Sequence, residues 1–418
     1  MTEVFSGEQP AVGKRRNAAL PFIMLTVLID MAAIGLIIPV LPALVGSFTG
    51  SQEDQAFWYG GVLFSFGIAN FFGSPILGAL SDRYGRRPVL LLGFCGLALN
   101  FFATAVAPEL WMLLVVRLFG GAMQANAAVA NAYVADITPP EQRARRFGAL
   151  GAMIGLGFII GPVMGGLLGD VSLRLPFYVA GGLALLNLLY GYFVLPESLP
   201  VERRRPFAWR AAHPLNAYRQ LAQLSGIGQL LAVIVCCGLA QFMMHTSWVL
   251  YTTFKFGWGP QQNGWSLATV GVVSVIVQGV LLGRLLKRFS PRRLAVMGLL
   301  SSAIAHLLWG LASEGWMMYA IIAGNALGFT VTACFQSIIS NAAGAVRQGE
   351  TMGAVNSINS LMAVIAPVIA APLLGMVSHL PKGDWRIGAP MYFCAALLAA
   401  ALVLAQAHFR RERQQVQG

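Results

Sequence analysis

Charge is what this sequence has least of. Lys, Arg, Asp and Glu make up 11% of its 418 residues, against roughly 25% in a soluble domain. That shortage excludes a water-covered surface of ordinary size. Cysteine is scarce too. Cys95, Cys236, Cys237, Cys334 and Cys394 all lie in apolar stretches and show no metal-ligand spacing. They read as small apolar residues, so neither redox chemistry nor a metal is expected. No glycine-rich loop of the phosphate-cradling type is present, which excludes direct use of a nucleotide. No lysine lies in the middle of an apolar stretch, which excludes a retinal Schiff base. No cofactor is expected, and nothing in the pattern points to an enzyme.

What is present is long apolar runs. The chain is 57% hydrophobic, with a mean hydropathy of +0.69. A spanning helix needs about 20 mostly apolar residues, and at roughly 35 residues per span with its connector the chain fits about twelve. The composition therefore predicts an all-α polytopic membrane protein. The first run, from about Leu20 to Leu44, is too long for a signal-peptide core and lacks a small-residue cleavage site, so it reads as an uncleaved first helix.

The net charge of +12 could suggest nucleic acid, but its distribution argues for topology instead. Of the 28 Lys and Arg, all but Arg174, Lys255, Lys382, Arg386 and the intramembrane Arg117 fall on one side when the spans are placed in order. Cytoplasmic loops accumulate such cations. We expect both termini inside, a bacterial inner membrane, the bilayer as partner, and no nucleic acid.

The longest polar segment, residues 196–225, divides the chain into an N-terminal half, 1–195, and a C-terminal half, 226–418. Two matches recur at one offset. Gly78, Leu80, Arg83, Tyr84 and Arg87 compare with Gly283, Leu285, Arg288, Phe289 and Arg292, and Pro162 compares with Pro367. Two independent matches at one spacing predict a duplicated six-helix unit, as in many carriers.

Four features carry chemistry. The loop Gly78–Arg87 needs its glycines for a tight turn between helices. Asp82 is expected at the start of the following helix, where a carboxylate suits the positive dipole end. The fifth run carries Gly151, Gly155, Gly157, Gly161, Pro162, Gly165, Gly166 and Gly169, spacings that let helix backbones approach closely. Arg117 lies within a span, where a charge costs at least about 2.5–3.5 kcal/mol on insertion scales, so it faces a cavity or a partner. Asp30 is the solitary acidic residue placed deep in a span, which makes it a functional candidate by default.

The loop matches every fixed position of the Gly-x-Leu-Ser/Ala-Asp-Arg-x-Gly-Arg-Arg pattern and here resembles the major facilitator superfamily. The resemblance implies that Gly78, Asp82, Arg83, Arg86 and Arg87 form a latch between halves that stabilises the outward-facing state. Gly157, Gly161, Pro162, Gly165 and Gly166 resemble the motif of that superfamily's antiporters. Arg117 resembles its helix-4 arginine, linked to proton transfer. The stretch Ile29–Pro42 resembles helix 1 of the twelve-span drug:proton antiporters, and closely that of the tetracycline exporters. Arg86–Leu92, Leu110–Leu113, Phe256–Trp258 and Ser313–Trp316 look like further segments of the same exporters. The implied function is a proton-coupled antiporter that exports amphipathic drugs or toxic metabolites, acting as a monomer on a small-molecule substrate. The alternative is a proton-independent facilitator or importer.

The departures concern substrate. The tetracycline exporters typically have aspartates in helices 3 and 9 and a histidine in helix 8, where this chain has Asn100, Ser302 and Ser274. His306 lies one turn beyond Ser302 on the same helix face and is expected to join Asp30 and Arg117 in proton coupling. Asn70, Gln124, Asn126, Gln241, His245, Trp248, Gln278 and Gln336, with Asn325 and Asn356, are the expected lining of a substrate cavity between the halves. Singly each could equally be helix-packing glue; together they describe a neutral, amide-rich site. On this reading tetracycline is a poor substrate, and a neutral or weakly charged amphipathic compound is preferred.

Overall fold

A computed structural model describes residues 10–124, 126–139, 142–207 and 228–417. The expected central segment is therefore described only to residue 207. Among the described residues there are helices and turns and no strand. Eleven helices are long and apolar enough to cross a membrane, and a twelfth span is a pair of helices bent by 52°. In chain order the first six are α1 (Leu20–Gly46), α2 (Gln52–Tyr84), α3 (Arg86–Val106), α4 (Leu110–Ile137), α5 (Arg146–Val171) and α6 (Leu175–Val194). The second six are α7 (Gln229–Phe256), α8 (Pro260–Leu286), α9 (Pro291–Leu311), α10 (Gly315–Gly324 with Gly328–Ile339), α11 (Val355–Gly375) and α12 (Trp385–Arg411).

Local chemistry sets the helix starts. Ser51 Oγ accepts the Asp54 N–H ahead of α2, and Ser290 caps α9 with Pro291 at its first position. In the first half α1 packs on α5 and α6, α2 on α4, and α3 on α6. In the second, α7 packs on α11 and α12, and α9 on α12. Each of these last pairings copies one of the first half six helices on. Contact between the halves runs through α5 on α8 and α2 on α11.

The spans α4 and α10 are both broken near mid-depth. The α4 helix is interrupted at Gln124; α10 stops at Gly324 and restarts at Gly328. A break frees carbonyls that lipid cannot satisfy, so it must be covered by protein. Asn70 does this for α4, donating from Nδ2 to the Gln124 carbonyl at 2.6 Å. At the other break, Asn325 Oδ1 accepts from Ser301 Oγ at 2.9 Å.

Lys255, read from the sequence as a loop cation, is instead buried in the last turn of α7. Its amine donates to the Gly310 carbonyl and lies 5.5 Å from the Tyr251 ring centre. A carbonyl and a ring face solvate an ammonium that its flexible stem folds inward.

Candidate substrate cavity and coupling site

A cavity of about 1180 Å³ lies between the halves, lined from α1, α2, α3, α4 and α5 on one side and from α7 to α11 on the other. It is large enough for a drug-sized molecule. Asn70, Gln124, Gln241, His245, Trp248, Gln278, Gln336, Asn325 and Asn356 all line it, together with Arg117, Asn100, Ser274, Ser302 and His306. Asn126 does not: it is buried behind the wall. There its Nδ2 donates to Asp30 Oδ1 at 3.0 Å. Asp30, also buried, is likewise absent from the lining.

The Asp30–Asn126 pair exists because of Gly93 on α3. A Cβ there would lie 1.9 Å from Asn126 Oδ1, so the missing side chain is the space the amide occupies. Sequence spacing offers no signal for this, since the three residues come from three helices.

Along the C-terminal wall, Gln241 and His245 Nε2 share a hydrogen bond of 2.7 Å, and Gln278 donates to Ser274 Oγ at 2.7 Å. Gln278 sits in a single π-helical turn, Val277–Leu281, a local widening frequent at functional sites. Trp248 donates to Ser266 Oγ at 2.9 Å and meets the Trp309 ring edge-on at 5.2 Å. His306 meets the same ring at 5.0 Å.

The glycines of α5 face two ways. Virtual Cβ atoms on Gly157, Gly161 and Gly165 would lie 2.6, 2.6 and 1.9 Å from atoms of Met31, Ala32 and Leu36 on α1. One on Gly166 would lie 2.6 Å from the Pro260 carbonyl of α8, in the other half. Pro162 itself approaches Gly35 of α1, and its carbonyl approaches Gly264 of α8. The motif thus joins the helix that carries Asp30 to the seam between the halves.

The Gly78–Arg87 loop departs from expectation in one respect. Asp82 lies in the last turn of α2, not at the start of α3. The dipole there opposes a carboxylate, and Arg86 compensates, with Nη1 at 2.6 Å from Asp82 Oδ1 and Nε at 3.1 Å from Asp136. The anion at the start of α3 is Glu197, from beyond α6: its two oxygens accept the Arg86 and Arg87 N–H groups at 2.8 and 3.2 Å. Gly85, at φ +108°, brings the chain round between the helices, and a Cβ there would strike Glu197. Arg87 donates to the Tyr192 carbonyl, and Arg83 lies over the Tyr84 ring. All these partners belong to the first half except Glu197, which lies at the start of the central segment.

Among the described glycines, close approaches between the halves gather toward one end of the seam. Gly60 abuts Ala371, Gly67 abuts Ala363, and Gly264 abuts Pro162. Gly78, Gly148, Gly279 and Gly283, toward the end rich in arginine, have no such neighbour within 4 Å. Among the described glycines, those toward the arginine-rich end therefore make no close contact between the halves.

A family model described as the Major Facilitator Superfamily matches residues 23–367 and 230–417. Tetracycline resistance protein, class C, of Escherichia coli is 35% identical over 379 residues, 90% of this chain and 95% of that protein. Quinolone resistance protein NorA of Staphylococcus aureus (strain MRSA252) is 26% identical over 374 residues, 89% of this chain and 91% of that one. Among solved structures, the human organic anion transporter MFSD10 (TETRAN) superposes with a TM-score of 0.69 at 23% identity, over 95% of this chain and 100% of that chain, which shows the shared fold. The chain is a multi-pass membrane transporter that belongs to the Major Facilitator Superfamily and is similar along its length to the tetracycline resistance proteins.

Proposed function

We propose that this transporter exports amphipathic drugs or toxic metabolites across a bacterial inner membrane in exchange for protons, by alternating access. The observation that carries the reading is Asp30, a buried carboxylate on α1 held by one amide; α1 lines the cavity, though Asp30 itself does not. A proton taken up or released there changes the Asn126 hydrogen bond. It thereby acts on α4, the broken helix that lines the cavity. Arg117 and His306, on the cavity wall, are the charged and chargeable groups through which that change reaches the substrate.

Direction is supported by the α5 glycine–proline pattern and by the relatives named for resistance to tetracyclines and quinolones. With the arginine-rich end inside, the cavity on this reading faces the cytoplasm, with the latch residues bound by the first half and by Glu197. In the outward-facing state they would re-pair across the seam. One chain completes the cavity, which supports a functional monomer.

The test uses inverted vesicles carrying an acid-inside gradient. Substrate addition should release protons from wild type and not from Asp30→Asn, with both proteins present in the membrane at equal amounts. Flux that ignores the gradient would favour a facilitator, and wild-type coupling in Asp30→Asn would remove the carboxylate from the mechanism. Magnesium-chelated tetracycline, a cation, should be transported poorly, because among the described residues no Asp or Glu lines the cavity.

A further inference from the structure

The cavity wall carries one fixed charge, and it is positive. Arg117 alone among the described lining residues is Lys, Arg, Asp or Glu. It is 4% exposed, and neither its Nε nor its Nη2 has a hydrogen-bond partner. Its ionisable neighbour is the phenol of Tyr59 rather than a carboxylate. Asp30 does not serve it, being engaged by Asn126 off the cavity.

Two further groups that line the cavity are buried with spare capacity. Asn100 on α3 is 1% exposed, with neither Nδ2 nor Oδ1 partnered. It lies against Gly120, one turn beyond Arg117 on α4, where a Cβ would come within 2.4 Å of its oxygen. Across the cavity, His306 Nδ1 lies 2.7 Å from the Ser302 carbonyl. A carbonyl only accepts, so in the neutral ring Nδ1 carries the proton and the unpartnered Nε2 presents a lone pair.

A buried guanidinium with idle donors is costly unless an acceptor of negative charge completes it. Its planar fork matches a carboxylate or sulfonate in two-point geometry. We infer that the transported class is amphipathic organic anions, whose acidic head docks on Arg117 and Asn100 while an aromatic body lies toward Phe101, Trp248 and Trp309. A hydroxyl or amide N–H on that body would find His306 Nε2. The volume of about 1180 Å³ suits an organic molecule rather than an inorganic ion. Exporting a monoanion in exchange for a proton moves positive charge inward twice over, so an inside-negative potential drives both movements.

The inference rests on the export reading for direction alone, so an equilibrium assay separates the two. Purified full-length protein in nanodiscs is titrated with pyrenebutyrate, pyrenebutyramide and pyrenebutylamine, with protein-free nanodiscs subtracted. We expect the acid to bind about tenfold tighter than the amide, as a charge-assisted pair allows, and the amine to bind weakest. In Arg117→Gln the acid should fall to the affinity of the amide, while the amide keeps its own. Should that variant lose all three ligands through misfolding, Arg117→Lys decides: an acid preference retained in part supports the assignment, and none overturns it. Equal binding of acid and amide by wild type, or an acid preference that survives in Arg117→Gln, overturns it. A failure of proton-driven transport with the acid preference intact would instead fall on the export reading.

Discussion

The two ends of the seam between the halves are built from different materials. At the closed end the contact is glycine backbone on its neighbour: Gly264 on the Pro162 carbonyl, Gly166 on the Pro260 carbonyl, and Gly60 on the Ala371 methyl. One polar contact joins them there, Asp170 Oδ1 accepting the Gln261 N–H at 3.3 Å. Among the described glycines at the arginine-rich end none makes a close contact between the halves, and the charged side chains pair within the first half and with Glu197. Glycine contacts give tight apposition without interdigitated side chains, so they seal by fit and have no long side chains to disentangle when they part. Charged side chains can exchange partners at small cost, since exposed pairs contribute only about 0–1 kcal/mol. The comparison teaches that one end is suited to a close seal and the other to switching.

The largest effect should come from spoiling the fit. Gly264→Val places a Cβ 2.4 Å from the Pro162 carbonyl, and overpacking of this kind costs about 1–3 kcal/mol. The conformer closed at this end should lose population about tenfold or more. Spin labels on the loops at that end would report it as a longer distance distribution. An unchanged distribution would mean that the glycine contact does not hold the seal.

At the switching end, Asp82→Asn removes the carboxylate that Arg86 neutralises at 2.6 Å. The Asp82 side chain is 43% exposed, so the loss in stability should stay under about 1 kcal/mol. Turnover should fall several-fold while equilibrium affinity remains near normal. A large loss of affinity with unchanged conformational populations would contradict the latch.

A smaller effect is expected at Glu197, whose carboxylate meets the first N–H groups of α3. Glu197→Gln should lower stability by about 0.3–1 kcal/mol, the scale of a charge at a helix end, with the loss reduced by salt. A salt-independent loss would mean that packing rather than charge is involved.

The smallest lies in the closed-end loop. Hydrogen bonds from Arg386 hold the Asp384 carboxyl below its usual range. A depressed carboxylate contributes stability above its unfolded value and loses it as pH falls through the folded one. Asp384→Asn should therefore differ slightly in melting temperature from wild type at neutral pH, and the difference should vanish on strong acidification. A difference that persists in acid would point to loop geometry.

The twelve apolar spans, the recurring glycine–proline and arginine-rich motifs, and the isolation of Asp30 are all legible in the chain. These are local or counting properties: a run long enough to cross lipid, a charge too costly to place there idly. Most of the cavity lining was legible in the same way, because polar side chains in otherwise apolar helices have few places to go. The pairings between residues follow from helix packing instead. Asn126 turns from the cavity to Asp30 because Gly93, on another helix, leaves it room. Asp82 ends α2 rather than beginning α3, because Glu197 supplies the anion at that helix start from 111 residues away. Lys255 folds inward onto Gly310, and Arg117, on the cavity wall, is left with idle buried donors. Each of these pairings depends on which helix faces come together, and hydrophobic length and periodicity carry no record of that.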